Sequence, residues 1–469
     1  MIPLMLSEVV TAMGGRTLGE APAGNVRGVS TDTRSVGAGE LFFALGGPRF
    51  DGHAFVPEAL ARGATAAVIA GDRVDAVRSA LNGTPALAEK LVLVSDVKAA
   101  LARLASFHRR QLSCEVIAVV GSNGKTTTKF MIDHVLGARL RGRCSPKSFN
   151  NEIGVPLTLL SADALDEYLV VEIGTNSPGE INQLGDIVQP DLAVITCLGE
   201  EHLEKLGSLE GVAVEECSIL GCIRNGGFAA VNRDAPEIEP HLADLSVKLA
   251  TFGRDARADV RVSDVSYDSP WLRFVVNGRF KFELQSPGAH NAMNAAGACA
   301  IARRLGFTYE EIAERLKSFA LPPMRTEMVQ LDGVTVMNDA YNSNPHSAVA
   351  AVEALELLPA RGRRIVVFGE MRELGPRGPE LHRKVAERLR GGRVDHVLLV
   401  GPAADHMHDV FADRGLFGPA VERCESVERC ADRLSQIVRE GDVVLLKASR
   451  AVGLDQVVEP LRRKCAARA

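Results

Sequence analysis

No apolar run in the chain approaches the roughly 20 residues that a membrane-spanning helix requires, so membrane insertion is not expected. No basic cluster is present either. The 54 Lys and Arg stand against 59 Asp and Glu, for a net charge of -5 spread along the sequence. That disfavours nucleic acid as the main partner, because phosphate backbones demand clustered cations. Met1 through Glu8 contain no basic region and no sustained apolar stretch, so no signal peptide is expected. The nine cysteines are odd in number and scattered, and the close pairs Cys217/Cys222 and Cys424/Cys430 lack zinc-site spacing. Reduced, buried thiols in a cytoplasmic protein are expected. Low-complexity segments and short-period repeats are missing too, and nothing in the composition suggests disorder or a fibre.

The sequence does have the length for about three domains and an ordinary globular composition, 46% hydrophobic and 24% charged. Residues 1–112 alternate short strand candidates ("ELFFAL", "AAVIA", "LVLVSD") with the helical periods "HAFVPEALARG" and "VKAALARLASFHRR". Residues 113–320 place "EVIAVV", "YLVVEI", "DLAVIT" and "GFAAVN" ahead of turns, and residues 321–469 repeat the theme with "RIVVFG", "HVLLVG" and "DVVLLK". Continuous apolar strands between helices predict an α/β chain whose parallel sheets are covered on both faces.

The strongest local signal is "VIAVVGSNGKTTTKFMIDHVL". A strand ends at Val120, Gly121–Ser122–Asn123–Gly124 turn the chain, and a helix is expected from Lys125 to Leu136. Glycines let backbone amides face a phosphate with no side chain in the way. Lys125 would neutralise the β- and γ-phosphates, and Thr126, followed by Thr127, would offer a hydroxyl to Mg2+. A glycine turn that merely caps a helix would need none of the Lys-Thr sequence that follows. The spacing is GxxGKT, shorter than the general phosphate loop, whose first glycine would fall at Val119.

With this loop, several further segments resemble the Mur ligase family along nearly the whole chain: "SFNNEIGVPLTLL", "VVEIGTNSPGEI", "EEHLEKLGSLEGVA", "SPGAHNAMNAAGACAIA", "PPMRTEMV" and "VMNDAYNSNPHS". The resemblance implies an N-terminal α/β UDP-binding domain, a central P-loop-type ATPase domain with a parallel sheet, and a C-terminal Rossmann-like domain. It implies Mg2+ ligation by Thr126, Glu172 and His202. Asn291 and Asn294, at i and i+3 on one helical face, would lie near the adenine, Arg325 on the ATP phosphates and Asp339 on the ribose. Asn150 and Asn151 match the Asn-rich substrate segment. Lys447, Ser449 and Arg450 are weaker substrate candidates. "VSTDTRSVGAGELFFALGGPRFDGHAFVPEALARGA" is similar to the family's UDP-sugar-binding domain, with Thr33, Arg34, Gly47, Asp51 and His53 as candidate contacts to the diphosphate.

The function so implied is an ATP-dependent carbon–nitrogen ligase of peptidoglycan precursor synthesis, which makes it part of cell-wall biogenesis, cell shape and division. The D-alanyl-D-alanine-adding member, acting on UDP-N-acetylmuramoyl-tripeptide through an acyl phosphate, fits best. A "DNPR"-like motif, usual in the member that adds the third amino acid, is missing. ATP and Mg2+ are the expected cofactors and a monomer the expected state, with domain closure completing the site. The third-residue-adding ligase, a folylpolyglutamate synthase and a noncatalytic nucleotide-binding module stay open as alternatives at this point.

Two positions depart from the family. Relatives usually carry a lysine, carbamylated to hold a second Mg2+, where this chain has Glu216, and no lysine occurs between Lys205 and Lys248. Glu216 is expected to replace the carbamate as a catalytic carboxylate, with Glu215 its neighbouring candidate. The competing expectation makes both of them surface helix residues. Ser177 stands where relatives often have His.

Overall fold

The computed structural model describes residues 1–19, 24–47, 50–81, 84–243, 245–411 and 418–466. Its strands sort into three principal sheets in chain order, joined by helices, which is the three-domain α/β architecture expected. In the first sheet Gly28–Ser30, Glu40–Phe43, Ala66–Ala70 and Leu91–Val94 run parallel, and Arg16–Thr17 pairs antiparallel with the last of them. In the third, five parallel strands (Val334–Asp339, Val443–Lys447, Arg364–Phe368, His396–Val400 and Ala420–Cys424) follow an antiparallel edge strand, Glu327–Leu331.

The central sheet has nine strands. Its inner parallel strands are buried on both faces, and every residue of Tyr168–Glu172 and Phe228–Asn232 is buried. That burial is why they read as unbroken apolar runs. The last two strands, Trp271–Val276 and Phe280–Gln285, form an antiparallel extension on Val260–Asp268. They alternate buried with half-exposed positions, and Asn277–Gly278, with φ of 53° and 66°, makes the turn between them.

The topology places the phosphate loop. Strand Glu115–Val120 lies between Tyr168–Glu172 and Leu192–Ile195, so the connections leave it on opposite sides. The carboxyl end of such a strand is a topological switch point, where a crevice opens between diverging crossovers. Residues 121–124 sit at that end.

The helical period expected across "HAFVPEALARG" divides in two. Gly52–Phe55 is a 3-10 turn capped by Asp51, and Val56–Ala61 is the α-helix. A side chain cannot replace Gly52, because a Cβ there would lie 2.6 Å from the Leu45 carbonyl oxygen.

Helix Val97–Arg109 packs on Gly154–Ser161 and Glu180–Val188 of the central domain. Arg109, 1% exposed, ends it by donating to the carbonyls of Val188 and Gln189, each at 2.8 Å, and by pairing with Asp191 at 2.7 Å. Asp191 also accepts from Val116 N at the start of the phosphate-loop strand. Removing one partner of a buried pair strands the other. Arg109→Met is therefore expected to destabilise the protein by about 3 kcal/mol, seen as a lower denaturant midpoint, with KM for nucleotide unchanged. A midpoint matching the parent's would contradict it.

Candidate active site

A cavity of about 980 Å³ lies between the central and third sheets. The phosphate loop forms its floor. Helix Lys125–Leu136 starts at Gly124, in the left-handed region at φ 83° and with no side-chain cap, so its first amides have no acceptor within the helix. Gly121 has φ 119°, and a Cβ there would meet Thr196 Oγ1 at 2.3 Å. A Cβ on Gly124 would meet Asn294 Oδ1 at 2.2 Å. Both glycines are therefore required by contact as well as by backbone angle.

Lys125 donates to the Gly121 carbonyl at 2.5 Å and lies 3.9 Å from Glu201 Oε1. Burial alone would depress its pKa, but Glu201, Glu216 and Glu172 outweigh burial and hold the ammonium above its ordinary value. Glu216 lies behind the loop and is absent from the cavity wall. It is fully buried and accepts from Gly121 N at 2.6 Å. Among the described residues, Glu216 Oε1 and Glu201 Oε1 are buried without a hydrogen-bond partner. Burial pushes the Glu216 carboxyl up to about 8, against the pull of Lys125. Glu215 is committed elsewhere, accepting from Thr175 Oγ1, Gly179 N and Ile181 N. The expectation that Glu215 and Glu216 are surface residues is thus corrected: the helix Leu209–Cys217 turns both inward.

Glu172 is 1% exposed at the end of its strand. Its Oε1 accepts from Asn150 Nδ2 at 3.0 Å, and its Oε2 pairs with buried Lys129 at 3.2 Å. Asn151 caps the next helix by accepting from Ile153 N and Gly154 N. Thr126 Oγ1 lies 3.2 Å from Ser148 Oγ. Thr126, Glu172 and His202 all line the cavity. Both ring nitrogens of His202 face carboxylates, Nδ1 at 2.5 Å from Glu373 and Nε2 at 3.8 Å from Glu201. Burial works against charging that ring, but Glu373 and Glu201 prevail and raise its pKa. Among the described residues no three His, Cys, Asp or Glu converge on one point as a metal cluster. A cation here would draw on the Thr126 hydroxyl and the Glu172 carboxylate, hard oxygen donors suited to Mg2+.

The third domain closes the far wall. Arg325 sits between Met324 and Thr326, both at positive φ (57° and 58°). Its guanidinium lies 4.2 Å from the Tyr341 ring centre and donates to Ser148 Oγ at 3.3 Å. Asp339 steadies this turn by accepting from Thr326 N at 2.9 Å, and its other oxygen pairs with Lys447 at 2.7 Å. Lys447 and Arg450 line the cavity, whereas Ser449 accepts from Arg372 N away from the wall. Asn123 Oδ1 accepts from Asn344 Nδ2 across the domain boundary. On the remaining side, Asn294 donates to Asn291, which donates to Ser286. Ser122, Thr127, Asn291 and Asn294 all lie on the site, and Ser122 Oγ ties the loop to Gly199.

The structure keeps Thr33, Arg34, Gly47, Asp51 and His53 apart from this cavity. They gather at the carboxyl edge of the first sheet, after Ser30 and Phe43. Arg34 is exposed and paired with Asp32. Gly47 N donates to the Phe50 carbonyl. His53 links Asp51 to Ala70 N. Lys129, Ser148, Glu201, Asn344 and Glu373 join the site without having been candidates from the sequence. Glu201 adjoins His202 in the same motif, Lys129 stands one helical turn after Lys125, and Ser148 and Asn344 lie inside two of the matched segments, so those four had a signal.

The fold and the loop define a phosphate-loop ligase, and the chain belongs to the Mur ligase family. Its residues 25–109, 119–302 and 324–450 match the Mur ligase family catalytic domain, the Mur ligase middle domain and the Mur ligase glutamate ligase domain. It is 35% identical to the UDP-N-acetylmuramoyl-tripeptide–D-alanyl-D-alanine ligase of Bacillus subtilis (strain 168), covering 93% of each chain. It is 31% identical to the same-named ligase of Escherichia coli (strain K12), over 98% of this chain and 99% of the other. Among solved structures it resembles the MurF ligase from Thermotoga maritima in complex with ADP, with 29% identity, a TM-score of 0.80, and coverage of 95% and 99%. MurF from Acinetobacter baumannii aligns with a TM-score of 0.86 at 26% identity, covering 98% and 99%.

Proposed function

We propose that this protein joins D-alanyl-D-alanine to UDP-N-acetylmuramoyl-tripeptide at the expense of ATP, passing through an acyl phosphate, in peptidoglycan precursor synthesis. The observation that carries the reading is the placement of Lys125, Thr126, Glu172 and Arg325 around one cavity at the switch point, together with near full-length identity to ligases of that name. We read residues 1–112 as the UDP-sugar domain, 113–320 as the ATP domain and 321–469 as the Rossmann-like domain. The protein acts as a cytoplasmic monomer in this reading, and no described helix is long and apolar enough to cross a membrane.

A carboxylate is a poor electrophile, and it must meet a triphosphate of like charge. Lys125 and Arg325 offset that repulsion from opposite walls. Thr126 and Glu172 would hold Mg2+, which supplies further charge neutralisation at the phosphates. Asn291 and Asn294 shape the nucleotide side, and Asn150 fixes the carboxylate of Glu172. Asn344 on Asn123, Arg325 on Ser148 and Glu373 on His202 hold the third domain against the central one, which orders the reactants and keeps water from the activated carbonyl.

Phosphate release should require ATP, Mg2+, the UDP-tripeptide and D-alanyl-D-alanine together. Release with ATP alone, unaffected by either peptide, would overturn the reading.

A further inference from the structure

Ser148, the first residue of the Asn-rich motif, stands between the first turn of the phosphate-loop helix and the third domain. Its Oγ is 3.2 Å from Thr126 Oγ1 and accepts from Arg325 Nη2 at 3.3 Å. A hydroxyl oxygen has two lone pairs and one proton, and a guanidinium can only donate. Arg325 therefore takes one lone pair of Ser148, leaving the second to face Thr126. A cation on Thr126 Oγ1 needs a lone pair of that threonine, so the threonine proton must point elsewhere. Ser148 is the acceptor within reach.

The turn that presents Ser148 is held in place. Lys147 has φ 48°, a conformation that strains a non-glycine residue. Lys129, 0% exposed, donates from one ammonium to the Ser145 carbonyl at 2.8 Å and to the Lys147 carbonyl. The same ammonium pairs with Glu172 at 3.2 Å, and Ser145 Oγ accepts from Glu172 N at 2.9 Å. An apolar residue at 129 would avoid the desolvation cost of a buried ammonium, but it would leave both carbonyls and the carboxylate unclamped.

We infer that Ser148 is a positioning residue: clamped by Lys129, it takes the Thr126 proton and the Arg325 guanidinium on one oxygen, and so couples a cation-ready Thr126 to the arrival of the third domain's arginine. This rests on the nucleotide-binding reading of the cavity. Losing one hydrogen bond to a charged group corresponds to about tenfold, so Ser148→Ala should lower kcat about tenfold with KM for the peptide unchanged. Ser148→Thr, which keeps the hydroxyl, should retain most activity, and Lys129→Met should fall at least as far as Ser148→Ala.

The deciding experiment is a double-mutant cycle of Ser148→Ala with Arg325→Met. It is read both in kcat and in the Mg2+-dependent affinity for a nonhydrolysable ATP analogue measured by calorimetry. Ser148→Ala should cost severalfold less once Arg325 is gone than it does in the parent, the remainder being its hold on Thr126. Equal losses in both backgrounds, or a Ser148→Thr variant as impaired as Ser148→Ala, would overturn the inference. The calorimetric cycle needs no turnover, so it decides the role of Ser148 even if the wild-type protein fails to make the ligation product, a result that would count against the ligase reading instead. If Lys129→Met does not fold, the Ser148 and Arg325 variants carry the test alone.

Discussion

Lys125→Met is expected to lower kcat/KM for ATP by about a thousandfold. Lys125 is the cation of the loop itself, and it is folded back on the Gly121 carbonyl and Glu201. Three carboxylates, Glu172, Glu201 and Glu216, hold its ammonium charged despite burial. Without it the buried Glu201 carboxylate, 3.9 Å from the ammonium, would face a triphosphate with its cation removed, so ground-state binding and transition-state charge stabilisation both suffer. Lys125→Arg should not restore activity, because a planar fork cannot occupy the compact corner that a point charge fills. Phosphate release as a function of ATP concentration measures both variants. A Met variant within tenfold of the parent would remove Lys125 from the mechanism.

Glu216 gives the second large effect, and pH reveals it. Its carboxyl is raised from 4.5 to about 8 by burial, while Lys125 and the Gly121 amide pull the other way and Glu201 and Glu215 add to the rise. A carboxyl whose folded pKa lies above its unfolded value contributes stability that is complete below about 4.5 and is lost as pH rises through about 8. Glu216→Gln carries no proton to lose and can still accept from Gly121 N. The Gln variant should therefore gain on the parent between pH 5 and pH 8, by up to about 5 kcal/mol as an upper bound, and the gap should level off above that. Thermal unfolding of both proteins across this range checks it, and a constant gap would contradict it. In turnover, Glu216→Ala removes the acceptor behind the loop and is expected to cost about ten- to a hundredfold. Full activity in that variant would remove Glu216 from the site.

Sequence legibility followed locality. "EVIAVV" and "YLVVEI" announce buried parallel strands because both faces are covered, and the phosphate loop is readable because strand, glycines, lysine and helix are contiguous. The antiparallel strands from 260 to 285 carry the weaker alternating signal of one-sided burial, and Asn277–Gly278 is the one local mark of their turn. Glu216 shows the limit of local reading. Its helix position fitted either a solvated face or the site, and only the packing of Leu209–Cys217 behind the loop separates the two. Ser148 and Lys129 become functional candidates through encounters with Thr126, Arg325 and Glu172, and a single sequence does not state those distances. Asp51 and His53, the expected diphosphate contacts, also hold their own loop, His53 linking Asp51 to Ala70 N, a contribution that the local sequence does not state.

The most direct test is the mass of the product formed when the protein receives ATP, Mg2+ and 18O-carboxylate-labelled UDP-N-acetylmuramoyl-tripeptide with D-alanyl-D-alanine and diaminopimelate in equal amounts. The account predicts a UDP-linked pentapeptide carrying D-alanyl-D-alanine, with one label oxygen transferred to the released phosphate. A product carrying diaminopimelate, or phosphate released without label and without pentapeptide, would contradict it.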